Sequence, residues 1–65
     1  MVIARETYIP DPVLYSTVRI VEDDSGEWYA FLADGAELVD DSIEQLAAQI
    51  ARHWARILEN NAKTA

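Results

Sequence analysis

The residues able to do chemistry are few, and their spacing suits little of it. His53 is the only histidine, it sits between Arg52 and Trp54, and the chain has no cysteine. A metal centre would need further ligands of suitable type, and acid–base catalysis an oriented neighbour; the spacing around His53 offers neither. Asp23 with Asp24, and Asp40 with Asp41, are the paired carboxylates. Neither pair has the D-x-D-x-D-G spacing of a calcium loop, and turn or cap positions explain both. Ser16, Ser25 and Ser42 lack a nearby histidine in a nucleophile arrangement, and two glycines cannot build a phosphate-cradling loop. The expectation is a protein that is not an enzyme, with no catalytic residue, metal or cofactor, and with His53 as a helix-flank side chain.

Sixty-five residues make one domain at most, in a size range where a second copy or a partner often supplies missing burial. The longest apolar run, the six residues 28–33, is far too short for a membrane span, and the N-terminus lacks the pattern of a signal peptide. A soluble, cytoplasmic protein is expected. The net charge of -7 is unevenly placed: residues 22–44 hold nine acids and no base, whereas residues 45–65 sum to +2 from Arg52, Arg56 and Lys63 against Glu59. One end of the molecule should therefore be acidic. Direct nucleic-acid binding is disfavoured, because phosphate contact needs a cationic surface.

The elements that must position these groups follow from turn chemistry and periodicity. Residues 1–13 form an N-terminal arm or edge strand, since Pro10 and Pro12 lack donors and force extended geometry. A first strand over 14–21 is followed by Asp23-Asp24-Ser25-Gly26, a second runs over 28–33, and Asp34-Gly35 suits a type I′ turn that returns residues 36–39 as a third. The fold class is α+β: a three-stranded antiparallel meander, then one amphipathic helix on one face, within a domain spanning 14–60 and with a disordered tail at 61–65. Ser42 with Gln45 has capping-box spacing, Ile43, Leu46, Ala47, Ile50, Trp54, Ile57 and Leu58 form the apolar stripe, and Asn60 and Asn61 should end the helix.

Those turns set a register: Ile20 opposite Tyr29, Val18 opposite Phe31, Phe31 opposite Leu38 and Ala33 opposite Ala36. One face then carries Val18, Ile20, Tyr29, Phe31, Ala33 and Leu38 under the helix, and the other keeps Trp28, Ala30, Leu32 and Val39. One helix cannot cover both. Trp28 and Leu32, with Asp23, Asp24, Asp40 and Asp41, are the candidate partner contacts, unless residues 2–9 fold across Trp28. A homodimer is expected through Trp28, Leu32, Val39, Ile57 and Leu58.

Residues 14–60 resemble the N-terminal module of HicB-like antitoxins: a strand, an acidic turn with glycine before an aromatic-rich strand, a short return, and an Asp-Ser helix start leading into a Leu/Ala-rich helix. Ala33-Asp34-Gly35-Ala36 replaces the longer Pro-Asp-x-Pro-Gly segment of that family. The resemblance implies a protein that binds and inhibits a small basic toxin or nuclease. Two other functions fit the acidity: a nucleic-acid mimic such as a phage-encoded inhibitor of a DNA-binding protein, and a structural subunit that only self-associates.

Overall fold

Three tight reversals set the architecture, and each is built around an aspartate. The computed structural model describes residues 2–64. Strands β1 (Ile3–Asp11), β2 (Ser16–Asp23), β3 (Trp28–Phe31) and β4 (Glu37–Asp40) form one antiparallel sheet in chain order, followed by helix α1 (Ile43–Thr64). At the first reversal Asp11 Oδ1 accepts the backbone N–H groups of Val13 (3.0 Å) and Leu14 (2.9 Å), and Tyr15 takes a left-handed φ of 53°. At the second, the Asp23 N–H donates to the Glu27 carbonyl (3.0 Å) and the Gly26 N–H to the Asp23 carbonyl (3.1 Å). The third repeats the second: the Leu32 N–H donates to the Ala36 carbonyl (3.0 Å) and the Gly35 N–H to the Leu32 carbonyl (3.1 Å).

Both later turns are therefore three-residue loops, each a tight turn closed by a glycine at φ +92° or +90°. This corrects the expected register by one residue at each hairpin. Arg19 pairs with Phe31, Ile20 with Ala30 and Val21 with Tyr29, while Ala30 pairs with Leu38 and Phe31 with Glu37. A one-residue slip reverses a strand's faces. Because the slips lie on either side of β3, only β3 is inverted relative to expectation. Val18, Ile20 and Leu38 do face the helix, but their companions on β3 are Trp28 and Ala30, continued by Leu32, instead of Tyr29, Phe31 and Ala33.

The core consists of Val18, Ile20, Ala30 and Leu32 from the sheet side with Leu46 and Ile50 from α1, flanked by half-buried Ile9, Leu14, Trp28, Leu38 and Trp54. Fully burying a large aliphatic side chain contributes roughly 1.5–3 kcal/mol, so these few residues supply most of the apolar drive. Ser42 caps the helix, its Oγ accepting the Gln45 N–H at 3.2 Å. The helix then packs over β3 and β4 only. It continues through Asn60 and Asn61 to Thr64, past the expected end and through most of the expected tail; Met1 and Ala65 lie outside the described residues. At ~1.5 Å per residue, 22 residues span about 33 Å, so the last turns overhang the sheet and the long dimension reaches 43 Å.

The N-terminal residues are a full strand. Instead of crossing Trp28, residues 3–11 pair along β2 with a bulge between Ile3 and Arg5, and only Ile9 of β1 reaches the core. Among the described residues no helix is long and apolar enough to cross a membrane.

Candidate interaction surface

Two acidic runs separated in sequence meet at one end of the sheet. The ladder sets Glu22 opposite Trp28 and Trp28 opposite Asp40, so Glu22, Asp23, Asp24 and Glu27 of the β2–β3 hairpin share an end with Asp40, Asp41 and Glu44 at the start of α1. Arg52, Arg56 and Lys63 lie along the later turns of the helix. The acidic end expected from the sequence is thus formed by register, and the cationic helix tail points away from it.

These carboxylates do different work. Asp23 is buried and holds its own turn: Oδ1 accepts from the Ser25 hydroxyl (2.6 Å), the Ser25 N–H (3.0 Å) and the Glu27 N–H (3.0 Å). The Ser25 hydroxyl, more than the backbone donors, keeps its carboxyl below the usual aspartate range against the opposing effect of burial. Asp40 accepts the Asp41 N–H (2.8 Å) and the Gln49 side-chain amide (2.8 Å), which lower its pKa in that order. Asp24 and Asp41 are exposed. Of the expected contacts, then, Asp24 and Asp41 present themselves to solvent, while Asp23 and Asp40 shape the elements beneath.

Leu32, 6 % exposed, lies in the helix-covered core and Trp28 packs against it, so the expectation of an uncovered face centred on these two is corrected. The uncovered face is the other one. There Tyr29 and Phe31 stack with ring centroids 6.5 Å apart and planes at 11°, and the Arg19 guanidinium lies 5.7 Å from the Phe31 centroid while pairing with Glu6 at 2.6 Å. Val21 is fully buried between its cross-strand neighbours Glu6 and Tyr29, and Val39 is exposed beside Tyr29. The expected dimer residues are not brought together: Trp28 and Leu32 lie under the helix, Val39 is on the opposite face, and Ile57 and Leu58 are on the overhanging helix.

Aromatic face and acidic end are continuous through one hydroxyl. Tyr29 Oη lies 2.9 Å from Glu27 Oε2 and 3.0 Å from Asp23 Oδ2. A phenol donates one proton, so the two carboxylates share it, and ionising it would place a third anion among them. Glu27, then Asp23, push the Tyr29 pKa up to about 12.

One pairing was missed by reasoning from local spacing. His53 Nε2 lies 2.8 Å from Asp34 Oδ2, nineteen residues away, where the β3–β4 turn meets the helix. The Ala36 N–H, followed by His53, holds Asp34 below its ordinary pKa. No local spacing signals it, because the pair depends on the helix running back over the β3–β4 turn: His53 lies one turn beyond Gln49, whose amide donates to the Val39 carbonyl at 2.8 Å. This is a tie between turn and helix; among the described residues no group of three His, Asp or Glu side chains is placed to hold a metal.

No family model, curated protein or solved structure matches the chain.

Proposed function

We propose that this chain is a small acidic interaction module that binds and inhibits a basic protein partner, in the manner of an antitoxin. The observation carrying the proposal is the continuity between the acidic end and the uncovered Tyr29–Phe31 face, which gives a cationic protein both long-range attraction and an aromatic surface to settle on. The resemblance of residues 14–60 to the HicB-like N-terminal module points the same way. Binding, with no catalysis, is the activity this reading assigns. Exposed Asp24 and Asp41 supply the attraction, and the Arg19–Phe31 contact holds the aromatic surface in place.

Affinity capture from the source cells tests it. Wild-type protein should retain a basic protein that salt weakens, the Asp24→Lys/Asp41→Lys variant should lose it by slower association, and Phe31→Ser by faster dissociation. Both variants holding the same protein as wild type would overturn the reading. A nucleic-acid mimic would compete with DNA and share the salt sensitivity, yet would not depend on Phe31; the aromatic face beside the acids favours the protein partner.

A further inference from the structure

The two edges of the sheet are treated differently. At β4 the helix reaches over the edge, and the Gln49 side chain donates to the outward Val39 carbonyl at 2.8 Å. At β1 nothing comparable occurs among the described residues, although β1 is the longest strand, at nine residues. A long unpaired edge invites another strand, and on β1 the bulge between Ile3 and Arg5 and the proline at position 10 confine the regular open stretch to residues 5–9.

The ladder determines which β1 groups are left outward. In an antiparallel sheet, alternate residues direct both backbone groups to the same side. Asp23 bonds toward β3 through its N–H and carbonyl, so Arg19, Val21 and Asp23 face β3 while Val18, Ile20 and Glu22 face β1. Their partners Ile9, Thr7 and Arg5 are then the bonded residues of β1, and Glu6, Tyr8 and Pro10 turn their backbone outward. Pro10 fits this position because its missing N–H would point to solvent.

We propose that two copies of the chain pair through antiparallel β1 strands about a two-fold axis at Thr7, joining their sheets into one. A two-fold axis perpendicular to the sheet keeps the faces continuous, so residues of the same parity meet. Centring on Thr7 sets each Glu6 opposite Tyr8 of the second copy, and these residues exchange all their outward N–H and carbonyl groups. Arg5 falls opposite Ile9 of the second copy. No like charges face each other. Centring on Glu6 would oppose two carboxylates, which destabilises a cross-strand pair; centring on Tyr8 would set Glu6 opposite Pro10 and lose a bond at the central pairs, whereas centring on Thr7 moves Pro10 out to face Ala4, at the bulge where the ladder is already irregular. The occupant that fits this edge is therefore the strand itself. Nothing obstructs the approach, because α1 packs over β3 and β4, on the far side of the sheet. The pairing leaves the acidic end and aromatic face free, so it stands or fails separately from the proposed partner.

Sedimentation and cysteine cross-linking test both assembly and register. Wild type at micromolar concentration should have twice the 7.3 kDa chain mass. Glu6→Pro and Tyr8→Pro each take only an outward N–H from the backbone, Glu6→Pro also losing the exposed Arg19 pair, and both should give folded monomers by circular dichroism. Thr7→Cys introduces a single thiol into a cysteine-free chain, at a non-hydrogen-bonded pair whose Cα atoms lie about 4.5 Å apart, within disulfide reach. It should oxidise to a covalent dimer at least ten-fold faster than Arg5→Cys. A monomeric wild type, a dimer that persists in both proline variants, or equal oxidation at the two cysteine positions would overturn the proposal.

Discussion

Tyr29 is where the charge of this molecule becomes measurable in one side chain. Its hydroxyl faces Glu27 and Asp23, and its ionisation lies near 12 against an ordinary value of 10.0. A folded pKa raised above the unfolded one favours the neutral phenol, so its stabilisation is complete below pH 10 and is lost as pH rises toward 12. Asp23 has the opposite sign: its lowered pKa contributes stability above 3.8 that disappears as pH falls through the folded value. Ultraviolet titration of tyrosinate should show Tyr29 ionising late in wild type, and Glu27→Gln should bring it back toward 10.0. A second residue carries strain. Tyr15 holds φ 53° with its side chain 94 % exposed, so Tyr15→Gly removes a left-handed penalty of roughly 1–2 kcal/mol at an entropic cost of about 0.5–1 kcal/mol. The variant should gain about 0.5–1 kcal/mol in urea unfolding.

At the scale of elements, the two glycine-closed hairpins are the same device used twice. A Cβ at Gly26 or Gly35 would meet no atom within 4 Å, so alanine costs only the positive φ. Gly26→Ala and Gly35→Ala should each lose about 1–2 kcal/mol, with asparagine losing less, as read from urea midpoints. That device also explains what the sequence revealed and what it hid. Hairpin positions, the Ser42 cap, the helix stripe and the helix-facing sides of β2 and β4 were legible, because each depends on local residue types. The inversion of β3 was not: Asp34-Gly35 suits a two-residue turn as well as a three-residue one, and only the sum of packing around Trp28, Ala30 and Leu32 selects between them. Pro10 left residues 1–13 open between an arm and an edge strand, since a proline is excluded from a central strand but fits an outward-facing edge position, and the edge strand is the one that forms. The candidate contacts shifted accordingly, from Trp28 and Leu32 to Tyr29 and Phe31, while the acidic end needed only the position of the turns. The helix overran Asn60 and Asn61 because asparagine lowers helix propensity without terminating it, and the Glu59–Lys63 pair at 3.1 Å bridges that stretch.

Over the whole molecule, charge is arranged along the axis that makes it long. Glu22, Asp23, Asp24, Glu27, Asp40, Asp41 and Glu44 crowd the end where the helix starts, and the basic side chains at 52, 56 and 63 lie toward the other, across a body 43 Å in length. The helix dipole benefits from acids at its start and bases toward its end, but repulsion among the clustered carboxylates exceeds what one helix terminus can offset. Only Arg5, 3.4 Å from Glu22, brings a cation to that end from the described strands. Salt should therefore stabilise the free protein. The screening length falls from ~10 Å at 0.1 M to ~3 Å at 1 M, and the thermal midpoint should rise across that range. Asp24→Lys, at an exposed position that leaves the Asp23 turn intact, should raise the low-salt midpoint and flatten its salt dependence, whereas Leu58→Ser on the overhanging helix should change neither. Scanning calorimetry of the three proteins at both salt concentrations measures this. A midpoint that falls with salt in the wild type would mean that pairs such as Glu6–Arg19 outweigh the crowded end, and the acidic end would then be a source of stability in the free protein.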